Sequence, residues 1–302
     1  MRNIAFGYST TCNIKCAHCV AGEDAPDPKK MGLFKAKEII REMAMAGVSG
    51  ISFTAGEPFI YYDDLLELVS LCREKSIYTR IVTNSFWAKT AEKAEQLLGT
   101  LKQCGLSQLR LSFSRWHQQH VLQNNVLNAA QGCMKAGIDY FISFVTDFSE
   151  EDDKYEQFLR DNTLKFFPEP VIYSGRAGTF ARKAIFTDYQ DNRCAMNPYL
   201  APDLSMYACC DAGSHFDTTH VFRLGNLSDH SIEELLHKSE TNPLYNCIRS
   251  LGITAIASFA GMKTRDIVTY RKCELCQRLF DAPETLKFLQ NATDFALKKW
   301  VR

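Results

Sequence analysis

"IAFGYSTTCNIKCAHC", residues 4–19, reads as a short apolar strand running straight into a loop with three cysteines. Their spacing is C-x3-C-x2-C, at Cys12, Cys16 and Cys19. Three soft thiols in one tight loop are metal ligands by their chemistry, yet zinc closes its structural sites with four. A zinc knob would have to recruit His18. The alternative is a centre that keeps one position open.

Outward from that loop the sequence alternates. Further strands are expected at "GISFTA" (50–55), "YTRIVTN" (78–84), "QLRLSFS" (108–114), "IDYFISFVT" (138–146) and "LKFFPEPVIY" (164–173). Helical patterns separate them at 35–47, 62–75, 88–103, 119–136 and 150–161. Strands joined by single helices make parallel β-α units, and six of these make a partial (β/α)6 barrel of the α/β class. Chemistry in such folds gathers where the strands end, so Cys12 to Cys19 belong on that rim. Beyond about residue 185 the alternation stops. The expected division is 1–185 for the partial barrel and 186–302 for a small cysteine-rich C-terminal domain with a closing helix at 282–300.

Composition narrows the function. The 302 residues carry 35 basic and 35 acidic side chains, a balance that gives no electrostatic footprint for nucleic acid or an anionic membrane. No apolar run is long enough to span a bilayer, and "MRNIAFGYST" is too short and polar for a signal peptide, so a cytoplasmic location is expected. Twelve cysteines exceed what packing needs in a reducing compartment. Cys72, Cys104 and Cys133 sit alone in helical stretches and read as buried packing residues. The rest cluster, three at the start and six between Cys194 and Cys276.

The three-cysteine loop after a first strand resembles the signature of the radical S-adenosylmethionine (SAM) superfamily. That resemblance implies a [4Fe-4S] cluster on Cys12, Cys16 and Cys19, with SAM on the open iron. It also implies reductive cleavage to a 5′-deoxyadenosyl radical that abstracts hydrogen. "TAGEP" (54–58) resembles the family's Gly-Gly-Glu-Pro element, with Ala55 in place of the first glycine. Gly56 would allow close backbone approach and Glu57 would meet the SAM ammonium. "VTNS" resembles the turn near the SAM ribose, which makes Asn84 a candidate contact. Ser112 on the fourth strand is another, whereas Ser114 replaces the usual aspartate. His117 either points into the cavity or packs at a helix start. Arg176, in "YSGRA", pairs with the SAM carboxylate, with substrate, or in a structural ion pair. His18 stands where many relatives have an aromatic residue.

The later cysteines resemble the auxiliary-cluster (twitch) domain of peptide- and sugar-modifying radical SAM enzymes. That likeness implies a second [4Fe-4S] cluster on Cys194, Cys209, Cys273 and Cys276; structural zinc in the same thiols is the alternative. Consecutive strand residues face opposite ways, so one of Cys209 and Cys210 is a ligand and the other is not. The leftover thiol, Cys210 first and Cys247 second, resembles the hydrogen-atom donor of radical SAM epimerases. Either could instead be a packing thiol. The leading expectation is an epimerase of a ribosomally made peptide, with a flavodoxin or ferredoxin-type electron donor. A start directly on the first strand leaves no winged domain for a leader peptide. Sugar or aminoglycoside epimerisation and oxidative cross-linking therefore stay in view, as does a non-enzymatic metal scaffold.

Overall fold

The computed structural model describes residues 2–20, 29–173, 175–181, 193–210, 221–262 and 272–280. Six parallel strands follow one another in it: β1 (Arg2–Gly7), β2 (Val48–Thr54), β3 (Tyr78–Thr83), β4 (Gln108–Phe113), β5 (Asp139–Thr146) and β6 (Phe166–Pro170). Helices α1 (Leu33–Met45), α2 (Tyr62–Glu74), α3 (Ala91–Cys104), α4 (Gln123–Ala136) and α5 (Glu150–Asp161) lie between them. The expected α/β partial barrel is present, with element ends within a few residues of their sequence positions.

Alternation along the strands explains its two faces. Phe6, Ile51, Phe53, Ile81, Leu109, Leu111, Phe113, Ile142 and Phe144 are buried in one core with the apolar stripes of α1–α5. Residues between them on the same strands are polar: Ser52, Thr54, Arg80, Arg110, Ser112 and Ser143. A parallel sheet covered by helices on both sides would be apolar throughout. This pattern instead leaves one face as a polar interior wall. Cys72 and Cys133 are wholly buried in the helical layer, as packing residues should be; Cys104 is half-buried.

The C-terminal segment continues the same sheet. Strand β7 (Tyr199–Leu200) pairs parallel to β1, and β8 (Ser205–Tyr207) and β9 (Arg223–Asn226) add antiparallel strands, giving the order β6-β5-β4-β3-β2-β1-β7-β8-β9. Next come α6 (Ile232–Thr241), α7 (Pro243–Leu251) and α8 (Ile253–Phe259). A capping box between Ser231 and Glu234 starts α6. The stretch that reads as a single helix from Pro243 onward is broken at Gly252, whose φ of +84° ends α7 and starts α8. Helix α9 (Lys272–Phe280) follows, and the expected closing helix at 282–300 lies outside the described residues. No described helix is long and apolar enough to cross a membrane.

Phe113 shows what the core contributes. Its fully buried ring meets Phe144, Tyr155 and Phe158 at centroid distances of 6.1, 6.2 and 6.0 Å. Phe113→Ala should cost about 3–5 kcal/mol, read as a lower urea midpoint with secondary structure retained in native buffer.

Candidate active site at the cysteine loop

The cysteine loop leaves β1 beyond Gly7 and is braced by segments that follow three other strands. After β2, the chain turns through Ala55 and Gly56 with φ of +63° and +55°. This conformation costs an L-residue about 1–2 kcal/mol, which explains why a glycine is usual where Ala55 stands. Gly56 has a stricter reason. A Cβ there would lie 2.3 Å from the Thr11 carbonyl oxygen and 2.7 Å from that of Ser9. The close approach lets Glu57 N–H donate to the Thr11 carbonyl at 2.8 Å.

Glu57 is almost completely buried, and its carboxylate is already engaged. Oε1 accepts from Phe59 N (3.1 Å) and Thr83 Oγ1 (2.8 Å), and Oε2 accepts from Asn84 N (2.7 Å). The side chain therefore joins the ends of β2 and β3. Burial pushes its carboxyl up to about 7 despite those three donors, which oppose the shift.

Asn84, after β3, donates through Nδ2 to Asn13 Oδ1 at 3.0 Å, with Cys12 Sγ 4.0 Å away. Its own Oδ1 accepts from Phe86 N at 3.0 Å, which fixes the rotamer. After β6, the turn at Gly175–Thr179 supplies Arg176. Its backbone N–H donates to the Cys19 carbonyl (3.1 Å) and its Nε to the Cys16 carbonyl (2.8 Å). Arg176 makes no ion pair among the described residues; it grips the loop backbone instead. That brace is a role its sequence position did not disclose.

The segment after β4 supplies Trp116 and His117, which meet His18 of the loop. His18 stacks on Trp116 at 4.9 Å, and Phe180 stacks on Trp116 at 5.5 Å. His117 meets His18 edge-on at 4.6 Å, while its Nδ1 shares a 2.8 Å hydrogen bond with Ser114 Oγ. Thus Ser114, where relatives carry aspartate, orients His117. Burial lowers both imidazoles, His117 to about 4 and His18 well below its ordinary value. Ser112 is half-buried on the polar face of β4, opposite Ser143.

The donor set fits an iron–sulfur cluster. All three thiols are free; Cys12 is exposed and Cys16 buried. Burial, reinforced by the charges of Cys19 and Cys12, pushes Cys16 up to about 12, with Arg176 opposing. Thiols held this high ionise when a metal displaces the proton, so loading releases protons. Donor atoms of Cys16, His18 and His117 also come within 4.8 Å of one another. That trio leaves out Cys12 and Cys19.

The model of the Radical SAM superfamily matches residues 8–161, just over half the chain and the whole of this braced loop. The chain belongs to that superfamily. Membership brings a [4Fe-4S] cluster and SAM, and it makes the protein a radical SAM enzyme. A protein of Bacillus subtilis (strain 168) named "Putative peptide biosynthesis protein YydG" is 22% identical over 262 residues, covering 83% of this chain and 81% of its own. An uncharacterized protein of Methanocaldococcus jannaschii, MJ0808, is 28% identical over 86 residues, 28% of this chain and 26% of its own. Among solved structures, BtrN in complex with AdoMet and 2-DOIA aligns with a TM-score of 0.53 at 15% identity, over 82% of this chain and 86% of that one. This last likeness speaks for the fold.

Two outcomes check the site. Gly56→Ala should retain the far-UV circular dichroism of the apoprotein but take up severalfold less iron on anaerobic reconstitution, measured by iron and sulfide analysis. Glu57 should make apoprotein stability pH-dependent. Its folded pKa lies above the unfolded value, so its contribution is fully present below about 4.5 and is lost as pH rises through about 7. Across that window the stability difference between wild type and Glu57→Gln should change by about 3 kcal/mol, read from urea titrations at each pH.

Proposed function

We propose that this radical SAM enzyme inverts a stereocentre, an α-carbon of a ribosomally made peptide, with Cys210 as hydrogen-atom donor. The observation that carries the reading is the unlike setting of two adjacent thiols. Cys209 is half-buried and packed against the main core, whereas Cys210 beside it is exposed. The two lie in the bend and turn just after β8, and their unequal exposure suits one cluster ligand and one free donor. The peptide class is supported by the likeness to YydG over most of both chains.

In this reading Cys194, Cys209, Cys273 and Cys276 hold an auxiliary [4Fe-4S] cluster. Cys194 precedes β7 and Cys209 follows β8, so they flank one hairpin. Cys273 and Cys276 lie three apart on α9, a spacing that puts both on one helical face. Cys247, half-buried on α7, is the second donor candidate.

When bound at Cys12, Cys16 and Cys19, the first cluster supplies the electron that splits SAM into methionine and a 5′-deoxyadenosyl radical. The chain's own residues arrange the rest. Gly56, Asn84 and Arg176 touch the loop and shape the SAM cradle together with Ser112 on β4, with Glu57 locking it. His18, Trp116 and His117 present a wall without a titrating proton at neutral pH. Cys210 returns a hydrogen atom to the substrate carbon from the face opposite abstraction, since an S–H bond is weaker than most C–H bonds. The resulting thiyl takes one electron from a flavodoxin or ferredoxin-type donor and one proton from solvent, which restores the thiol. Each turnover thus consumes two electrons.

Turnover in deuterated water tests the proposal with candidate peptides. An epimerase leaves one solvent deuterium at the inverted carbon, while a cross-linking enzyme yields a product lighter by two hydrogens. Cys210→Ala should still form 5′-deoxyadenosine but abolish deuterium incorporation. If only Cys247→Ala has that effect, Cys247 is the donor. Acceptance of an aminoglycoside with every peptide refused would overturn the substrate class.

A further inference from the structure

The polar face of the barrel sheet carries a group of residues that the cysteine loop does not use. Arg80 is the third residue of β3 and Arg110 the third of β4. Their guanidinium carbons lie over the same ring, Phe141 of β5, at 5.6 and 5.7 Å from its centroid. Phe167 on β6 meets Phe141 edge-on at 5.8 Å and is 53% exposed. Two cations and two aromatic rings thus share one half-open wall.

The guanidiniums are only partly satisfied. Arg110 donates through Nη2 to Ser143 Oγ at 2.8 Å and to both oxygens of Glu169 at 2.6 and 2.7 Å. Its Nε is buried without a partner. Arg80 donates through Nε to Gln108 Oε1 at 2.6 Å, and its terminal nitrogens have no hydrogen-bond partner among the described residues. A buried orphan such as Arg110 Nε costs about 1–3 kcal/mol, while the Arg80 terminal nitrogens are not buried and stay open to an incoming acceptor. Burial lowers Arg80, and the neighbouring Arg110 charge adds to that. Asp139, whose charge acts on Arg80, is held by Gln108 and Lys165.

We infer that Arg80 and Arg110, above the Phe141–Phe167 shelf, form a carboxylate subsite of the substrate cavity. It takes an acidic side chain or the C-terminal carboxylate of the peptide, and it rests on the peptide reading above. Charge selects the ligand. Glu169 sits against Arg110, whereas Arg80 has no ion pair among the described residues, so a carboxylate is the acceptor that complements it. The aromatic shelf receives the methylenes behind the carboxylate. Position supports it too. Arg110 lies two residues before Ser112, about 7 Å further from the strand ends where the cysteine loop sits. A peptide anchored there would present a neighbouring residue upward to the radical.

Calorimetry on anaerobically reconstituted protein with SAM tests this, using four probes: acetyl-Ala-Leu-Asp-Ala-amide, its Asn counterpart, the free acid of the Asn peptide, and glutarate. The Asp peptide should bind at least tenfold tighter than the Asn amide. Arg80→Met should erase the difference, and Glu169→Gln, which raises the local charge, should enlarge it. A free acid matching the Asp peptide would identify the chain terminus as the source. If glutarate binds in an Arg80-dependent manner while every peptide fails, the subsite stands and the peptide reading falls. If peptides bind regardless of charge, the peptide reading stands and the subsite falls. Charge preference that survives Arg80→Met, or no binding by any probe, overturns the subsite.

Discussion

A single backbone contact organises the catalytic end of this protein: Glu57 N–H against the Thr11 carbonyl, possible because residue 56 has no side chain. Through it the turn after β2 lies directly on the cysteine loop. The Glu57 carboxylate then extends the connection to Thr83 and Asn84, and Asn84 returns to Asn13 within the loop. Arg176 completes the bracing from the far side of the sheet by holding the carbonyls of Cys16 and Cys19. The thiols are therefore positioned by hydrogen bonds from segments that a parallel sheet delivers to the same rim.

Much of this was legible in the sequence because it is written in local rules. Strand and helix alternation gave the barrel, and C-x3-C-x2-C after the first strand gave the cluster loop. Gly56 was readable as a point of close approach. What escaped were roles set by tertiary partners. Glu57 looks like a ligand carboxylate in "TAGEP", and the sequence does not say that its oxygens also tie Phe59, Thr83 and Asn84 together. Nothing in "YSGRA" says that Arg176 reaches a carbonyl more than 150 residues earlier. The pairing of His117 with Ser114 did have a signal, since a hydroxyl three residues before a histidine at a helical turn is a local capping pattern. The continuation of the barrel sheet into β7, β8 and β9 had none, because two- and three-residue strands carry no periodicity.

The polar wall illustrates how the two levels meet. "QLRLSFS" and "YTRIVTN" alternate cleanly, and that alternation already says one face of a parallel sheet lacks a helical cover. It does not say that Arg80 and Arg110 converge on one phenylalanine from neighbouring strands. Register supplies that, since Arg110 pairs with Phe141 and Arg80 with Gln108.

Strand β6 ends the sheet on the side away from β1, and its sequence, "FFPEP", has a directional consequence. Just past its end the amide of Val171 points inward, to Thr146 on β5. By the two-residue period, the amides at 168 and 170 would point outward, and both positions are proline. Of the outward amides of β6, only that of Phe166 remains, which blunts this rim as a template for a visiting chain. A strand added there, from a second copy or an extended peptide, would meet a broken ladder.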